Sequence, residues 1–460
     1  VINLKYQASI IGAGPGGYVA AIHAARIGMK VCLIEQDHVG GVCLNRGCIP
    51  TKTLVGSAKV WSLIKRAADY GIKINGEASP DWDRILIRKN EVVARLAKGI
   101  HYLFDQNKVE LIKGQAVFEA GPIIKVALDD GSERKVHADN YIIATGSEAH
   151  VPEVFKYDGS QVITSNEALE LSELPESLVI IGGGVIGCEF ASIFATFGVK
   201  VTIVELMDQL IPNLDSDVSG SLRLQLKKKG IEILTGTSVN EVRKAEDGVR
   251  LILSNGKELI SAKVLVSIGR KPNSDKLGLD EIGVKLNSKG QIQVDKYLQT
   301  NVPGIYGIGD VNDQPWDLAH AASFQAVKAV GLIAGKQVAW SGQAMPNCIF
   351  TDPEVATVGI TPQEAAAQGV EVATSKAAFL ANGKALAQGE AVGFVKVVAD
   401  KKNHRILGVQ IIGPEASDLI AEAALAVKHR LTVEQLAGTI HAHPTLAESF
   451  HEAVQSFSIG

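Results

Sequence analysis

Short apolar runs that stop at glycine punctuate this chain, and the two most regular of them open onto the same pattern. Ile10-Ile11 leads into Gly12-Ala13-Gly14-Pro15-Gly16-Gly17, and Ile180-Ile181 leads into Gly182-Gly183-Gly184-Val185-Ile186-Gly187. Each reads as a buried strand, a tight turn and a helix, because an apolar run of strand length gives way to G-x-G-x-x-G and then to alanine-rich helical spacing. Beyond each helix a glycine precedes a second strand ending in an acid, Gly28 to Glu35 and Gly198 to Glu205. Glu35 and Glu205 each stand 23 positions after the first glycine of their loop. One strand-turn-helix-strand plan is therefore written twice.

Each part of the plan has a physical task. The first glycine (Gly12, Gly182) turns the chain, the second (Gly14, Gly184) lets backbone N–H groups approach a pyrophosphate, and the third (Gly17, Gly187) lets helix and strand pack closely. The helix N-terminus adds partial positive charge. A carboxylate closing the second strand accepts hydrogen bonds from ribose hydroxyls and repels a 2′-phosphate, so Glu205 favours NAD over NADP. One such loop is a weak signal, but two with equal spacing outweigh a reading as turns alone.

Further strands extend the duplication. Tyr141-Ile142-Ile143-Ala144-Thr145-Gly146-Ser147 stops at a turn, and Val264 to Arg270 repeats that shape 123 positions later. Gly304 to Asp310 is another short strand, whose terminal acid serves either as a helix cap or as an acceptor for a sugar-like chain. From about Pro346 alternating strands such as Gly393 to Val398 precede a helical stretch from Ala416 to Arg430, which reads as a separate α+β domain acting as a lid or an oligomer interface.

Composition narrows the class. Gly is 46 of 460 residues, an excess that asks for many tight turns, and the formal charge of -4 lacks the basic footprint of a nucleic-acid binder. Apolar runs break long before the roughly 18 residues of a membrane span, so none is expected. The start of the chain lacks the features of a secretory signal, although a transit peptide already removed would leave no trace. Five cysteines are too few and odd for a secreted disulfide framework, and fit a reducing compartment. No metal site is expected.

Two constellations carry candidate chemistry. In Cys43-Leu44-Asn45-Arg46-Gly47-Cys48 an ideal helix would advance about 7.5 Å, beyond the roughly 4.4–6.8 Å Cα separation of a disulfide, so the segment must be distorted to bridge. Gly40, Gly41 and Gly47 permit the distortion, and Pro50 removes a helix hydrogen bond. The pair is either a redox device beside a cofactor or two buried reduced thiols; Cys32, Cys188 and Cys348 read as packing residues. In His441-Ala442-His443-Pro444-Thr445-Leu446-Ala447-Glu448, a proline opening a helix would project His443, and Glu448 could orient its imidazole as a base for thiols. The competing reading of Thr445-x-x-Glu448 is a capping box. His441 lacks such an orienting partner and is taken as support.

At these residues the chain resembles the flavoprotein disulfide reductases of the class I pyridine nucleotide-disulfide oxidoreductase family, and among them the dihydrolipoyl dehydrogenases. The resemblance covers essentially the whole length: Gly12 to Gly17 with Glu35, the Cys43-x4-Cys48-Ile49-Pro50-Thr51-Lys52 box, Ala144-Thr145-Gly146, Gly182 to Gly187 with Glu205, Gly309-Asp310, and His443-Pro444-Thr445-x-x-Glu448 stand in family order. It implies an α/β protein with two Rossmann-like dinucleotide-binding domains and a C-terminal α+β dimerisation domain. The implied division is an FAD-binding domain at 1–148, an NAD-binding domain at 149–272, a central domain at 273–345 returning to the FAD side, and an interface domain at 346–460. The implied reaction oxidises protein-bound dihydrolipoamide and reduces NAD+, with Cys43, Cys48, His443 and Glu448 catalytic and His443 serving the cysteine pair of the other subunit of a homodimer.

The same resemblance implies cofactor contacts at Lys52, at Gly114 and Ala116 beside adenine, at Thr145, Gly146 and Ser147, at Asp310 on the ribityl chain, and at Leu318, Ala319 and His320 beside the flavin. Val239 and Gly269 are implied near NAD. Glu189 is implied near Lys52 and the nicotinamide, or else is an exposed acid in the first turn of its helix. Arg46 departs from a position that is frequently small and apolar in the family; it points to solvent, tunes the thiolate or meets an acidic patch on a lipoyl domain. Without a fused lipoyl domain, the expected partners are the lipoyl domains and core of a 2-oxo acid dehydrogenase or glycine cleavage complex, in bacterial cytoplasm or an organelle matrix. Glutathione and mercuric reductases would want arginines where Leu206-Met207-Asp208-Gln209 stands, and mercuric reductase a cysteine pair beyond Cys348. A scaffold or redox sensor would have no need of a thiol pair and a distant base together.

Overall fold

The computed structural model describes residues 5–121, 123–245, 248–336, 342 and 344–457. Two compact units divide the chain: Val1–Thr53, Arg84–His150 and Gly269–Gly342 form one, and Leu54–Asp83, Val151–Ile268 and Gln343–Gly460 the other.

In the first unit the parallel strands run in the order Glu110–Glu119, Val31–Glu35, Lys5–Ile11, Glu133–Ile143 and Ile305–Gly307. Ile10 pairs with Leu33 on one side and Ile142 on the other, and all three are fully buried. Strands covered on both faces need such unbroken apolar runs, and each fully buried aliphatic side chain contributes about 1.5–3 kcal/mol. The Glu110–Glu119 and Glu133–Ile143 strands outrun this sheet and pair with Ile123–Leu128 in an antiparallel meander.

The second unit repeats the plan. Its parallel order is Glu232–Leu234, Lys200–Val204, Ser177–Ile181, Lys263–Val266 and Val162–Ile163, with a meander of Val239–Ala245, Gly248–Leu253 and Glu258–Ser261 beside it. The repeat reaches the level of single hydrogen bonds. Gly12 N–H donates to Ile34 and Ala144 N–H to Ile11, both at 2.8 Å; Gly182 N–H donates to Val204 at 2.9 Å and Ser267 N–H to Ile181 at 2.8 Å.

The C-terminal part of the second unit is a five-stranded antiparallel sheet in the order Asn347–Ile349, Glu354–Gly359, Ile406–Gly413, Phe394–Asp400 and Val372–Ala378. Helices Ala416–Lys428 and Glu448–Gln455 place Ile420, Phe450 and Val454 in its core with Val397, Val409 and Ile411. The expected α/β class, two Rossmann-like halves and an α+β C-terminal domain, is what the strands form. No helix among the described residues is long and apolar enough to cross a membrane.

Candidate functional site

The two glycine loops close in the same way. Gly12 has φ +96 and Gly182 φ +104, and a Cβ on either would lie 2.5 Å from a backbone oxygen, that of Ala144 or of Ser267. A Cβ on Gly17 would lie 1.7 Å from Gly12 O, and one on Gly187 2.0 Å from Gly182 O. The middle glycines differ in kind. A Cβ on Gly184 would meet nothing within 4 Å, and one on Gly14 only the Gly41 Cα at 3.9 Å. Space is thus kept in front of the N-termini of helices Pro15–Arg26 and Val185–Thr196, where backbone N–H groups can receive phosphate oxygens.

Both strand-end acids also pin their loops, which spacing alone did not reveal. Glu35 Oε2 accepts Ala13 N–H at 2.6 Å and its Oε1 accepts Asp37 N–H at 2.7 Å; Glu205 repeats this with Gly183 at 2.6 Å and Met207 at 2.7 Å. Each carboxylate oxygen keeps a lone pair for a ribose hydroxyl. Leu206 and Met207 beyond Glu205 are exposed and bring no cation to meet a 2′-phosphate.

The cysteine segment lies against the first loop. Gly40 N–H donates to Ala13 O at 2.8 Å, and a Cβ on Gly41 would come within 2.6 Å of the Gly14 Cα. The expected distortion falls at Gly47: helix Gly41–Arg46 ends there, Gly47 takes φ -146 and ψ -116, and Cys48 starts helix Cys48–Lys65. Pro50 thus occupies the first turn, where its missing N–H costs no helix bond. Cys43 and Cys48 stand as a dithiol in hydrogen-bond contact. The bond to Cys48, then burial, push the Cys43 thiol far above its ordinary range, against the charge of Lys52.

Tyr18, which the sequence gave no reason to single out, also belongs here. Burial and then the Cys43 and Cys48 charges raise its phenol pKa. Arg46 is resolved as an ion pair with Asp37, 2.8 Å between Nη2 and Oδ2, rather than a free cation beside the thiols. Cys32 and Cys188 are buried and Cys348 is half-buried in a strand; burial pushes the Cys32 thiol up to about 12.

In the second unit His443 Nδ1 lies 2.8 Å from Glu448 Oε1, and the imidazole is largely exposed. Two expectations are corrected here. The helix begins at Glu448, not Pro444, and the capping box is half made: Glu448 Oε2 accepts Thr445 N–H at 2.8 Å, while the Thr445 hydroxyl donates to Ala442 O at 2.8 Å. His441 is not without partners either. Its Nε2 lies 2.9 Å from Glu422 Oε1 and its Nδ1 3.1 Å from Thr439 O, on a side chain 8% exposed. Glu422 lies 19 positions away on helix Ala416–Lys428, beyond any sequence motif.

Glu189 is not an exposed first-turn acid. It is buried one turn further along helix Val185–Thr196, and its Oε1 accepts Phe350 N–H at 2.9 Å. Asp310 is not a helix cap, because its Oδ2 accepts the Ser147 hydroxyl at 2.6 Å from within a 3-10 turn. Thr145 Oγ1 donates to Asn273 O at 2.7 Å and Asn273 Nδ2 returns to Thr145 O at 3.0 Å, stitching the Thr145-Gly146 turn to the stretch after Gly269.

The remaining positions fall on these elements. Gly114 and Ala116 lie where the Glu110–Glu119 strand leaves the parallel sheet, with a Gly114 Cβ only 2.3 Å from Ala127 O. Leu318 and Ala319 form the start of helix Ala319–Ile333, with His320 exposed just inside it. Val239 opens a meander strand of the second unit, and Gly269, at φ +138, accepts His150 N–H at 3.1 Å in the first. Among the described residues no group of His, Cys, Asp and Glu is arranged to hold a metal ion.

Comparisons with known proteins give the family. Residues 6–326 match the pyridine nucleotide-disulphide oxidoreductase family, and residues 345–454 its dimerisation domain. The chain is 42% identical to a dihydrolipoyl dehydrogenase of Chlorobaculum parvum over 456 residues, covering 98% of this chain and 97% of the relative. It is 41% identical to one from Geobacillus stearothermophilus, covering 98% and 96%. Among solved structures, LpdA of Mycobacterium tuberculosis superposes with a TM-score of 0.92 at 28% identity, covering 98% and 99%. The HOCl-induced flavoprotein disulfide reductase RclA of Escherichia coli, solved as a Cu(II) complex, gives 0.89 at 29% identity, with the same coverage. With residues 6–326 and 345–454 matched by the family and its dimerisation domain, and relatives above 40% identical along nearly the whole length, the chain belongs to the pyridine nucleotide-disulphide oxidoreductase family.

Proposed function

We propose that this chain is a dihydrolipoyl dehydrogenase: it oxidises protein-bound dihydrolipoamide to lipoamide through the Cys43–Cys48 pair and a bound FAD, and reduces NAD+ to NADH. The observation that carries the reading is the Cys43–Cys48 pair itself, its two side chains in contact and its segment seated against a glycine loop kept open at Gly14. FAD fits the first loop, where Glu35 meets the ribose, Gly114 and Ala116 the adenine, Thr145, Gly146 and Ser147 the turn beside it, and Asp310 the ribityl chain. Leu318, Ala319 and His320 border the flavin. NAD fits the second loop, with Gly182, Gly184, Gly187 and Glu205 holding its adenosine side, Glu189 near the nicotinamide, and Val239 and Gly269 among its contacts. The corresponding domains are 1–148, 149–272, 273–345 and 346–460.

When bound, FAD accepts the electron pair of the dithiol and passes it as hydride to NAD+. The residues of the chain do the rest. His443 takes the proton of a substrate thiol, and the resulting thiolate attacks Cys43 in the oxidised Cys43–Cys48 disulfide. That S–S bond breaks, Cys48 leaves as a thiolate, and substrate and Cys43 share a mixed disulfide. The second substrate thiol, deprotonated in turn, attacks the substrate sulfur of that bond, closing the lipoyl ring and releasing Cys43. Two electrons and two protons have left the substrate, and Lys52 stabilises the Cys48 thiolate.

In this reading the chain acts as a homodimer, His443 of one subunit serving the cysteine pair of the other. It meets the lipoyl domains and core of a 2-oxo acid dehydrogenase or glycine cleavage complex, in bacterial cytoplasm or an organelle matrix. Anaerobic addition of dihydrolipoamide to the purified protein tests it. The expected result is one FAD per chain, reduced by dihydrolipoamide in the native protein and not in Cys43→Ser. A colourless protein, or flavin that dihydrolipoamide leaves oxidised, would overturn the reading.

A further inference from the structure

The Ser147 hydroxyl stands in the middle of a chain that ties an arginine to the Asp310 carboxylate. Arg270 donates from Nε to Ser147 Oγ at 2.7 Å and from Nη2 to Ser147 O at 2.6 Å. Ser147 Oγ lies 2.6 Å from Asp310 Oδ2, and Arg270 Nε 4.0 Å from that same oxygen. The direction of the chain is forced. A guanidinium can only donate, so the single hydroxyl proton of Ser147 goes to the carboxylate. Three distant stretches meet here: strands Ser147–Ala149 and Arg270–Pro272, paired antiparallel, and the 3-10 turn Gly309–Val311.

We propose that Arg270 is a positioning residue for the flavin: it clamps Ser147 at two points and, through the Ser147 hydroxyl, fixes Asp310 so that its other oxygen is presented to a polyol hydroxyl. The inference rests on the reading of Asp310 as the ribityl acceptor. A rigid two-donor fork suits this task better than a flexible ammonium, because it fixes orientation as well as charge. The surrounding charges give Arg270 a second task. Asp317 lies close enough to Asp310 for their charges to repel, and desolvation and then Asp310 push its pKa up to about 6, while Arg270 and Lys289 pull it down. Without Arg270, one of the two cations that act on Asp317 is lost.

The test measures the FAD affinity of apo-protein between pH 5 and 8 for the native chain, Arg270→Lys, Arg270→Met, Ser147→Ala, Asp310→Ala and the Arg270→Met/Ser147→Ala double variant. Losing a charge-assisted hydrogen bond predicts about 10–100-fold weaker binding in Arg270→Met, Ser147→Ala and Asp310→Ala, with partial recovery in Arg270→Lys. Because one chain of bonds is broken at two points, the double variant loses little more than the worse single one. In Arg270→Met the affinity also falls as pH rises through the ionisation of Asp317, a trend a merely structural residue would not give. Weak binding in Asp310→Ala with native affinity in Arg270→Met and Ser147→Ala overturns the inference and leaves the Asp310 reading intact. Native affinity in Asp310→Ala overturns both. If Arg270→Met fails to fold, Arg270→Lys and Ser147→Ala with their double variant decide the same point, since simple additivity there contradicts a shared chain.

Discussion

His443 directs Nδ1 at Glu448 Oε1 across 2.8 Å, while the other oxygen of that carboxylate accepts the Thr445 N–H at the same distance. The two bonds divide the work. The Thr445 N–H first, and His443 second, hold the Glu448 carboxyl below its ordinary pKa. An ionised carboxylate can only accept, so the imidazole carries its proton on Nδ1 and offers the Nε2 lone pair outward. A histidine fixed in that tautomer is prepared to take a proton from a thiol.

His443→Gln keeps a side chain of similar reach but no base, so the lipoyl half-reaction should slow about 10²–10⁴-fold. NADH oxidation by a dye acceptor, which bypasses the thiols, should stay within a few-fold of native. Stopped-flow comparison of the two reactions reads this directly, and equal losses in both would remove His443 from the thiol chemistry.

The repeated loops predict opposite outcomes for neighbouring glycines. Gly184 has φ -74 and open space where a Cβ would stand, so Gly184→Ala should fold like the native chain. It should raise the KM for NAD+ about tenfold or more by pushing the pyrophosphate off the backbone N–H groups. Gly182→Ala must place a Cβ 2.5 Å from Ser267 O at φ +104, and should lower the melting temperature instead. Indistinguishable KM values for native and Gly184→Ala would mean that the second loop does not hold NAD.

Lys396 and Asp215 form a buried ion pair at 2.8 Å, 7% and 0% exposed at their side chains, with Asp217 also 2.8 Å from the ammonium. Asp215 is at the same time the N-cap of helix Ser216–Lys228, accepting Asp217 N–H at 2.9 Å. Lys396→Met leaves that carboxylate buried without its cation, and thermal or urea unfolding should show a loss of about 3–5 kcal/mol. Burial opposes the charge on Lys396, but its two carboxylate partners raise its pKa overall. Its contribution is therefore complete below the unfolded-state pKa and is lost only as pH rises through the higher folded value. A native chain no more stable than Lys396→Met at pH 7 would contradict this.

Much of the site was legible because its chemistry sits in short contiguous stretches. Gly12 to Gly17, Cys43 to Cys48 and His443 to Glu448 each bring the needed residue types within one turn or loop, so spacing alone exposes them. The duplicated strand-turn-helix-strand plan showed in apolar runs ending at glycine. What stayed hidden depends on residues brought together only by folding. Glu422 beside His441, Arg270 beside Ser147 and Asp215 beside Lys396 are 19, 123 and 181 positions apart. Arg46 misled through its neighbours, since its partner Asp37 lies back along the chain rather than near the thiols. Tyr18 gave no signal, because an aromatic residue early in a helix reads first as packing.

The rate of NADH formation from dihydrolipoamide and NAD+, with NADP+ replacing NAD+ in a parallel assay, decides whether dihydrolipoamide is the electron donor and NAD+ the acceptor. Rapid NADH formation and little NADPH are expected, since Glu205 is buried at the strand end and exposed Leu206 and Met207 follow it. No turnover from a flavin-loaded protein would contradict the reaction, and equal rates with both nucleotides would contradict the role of Glu205.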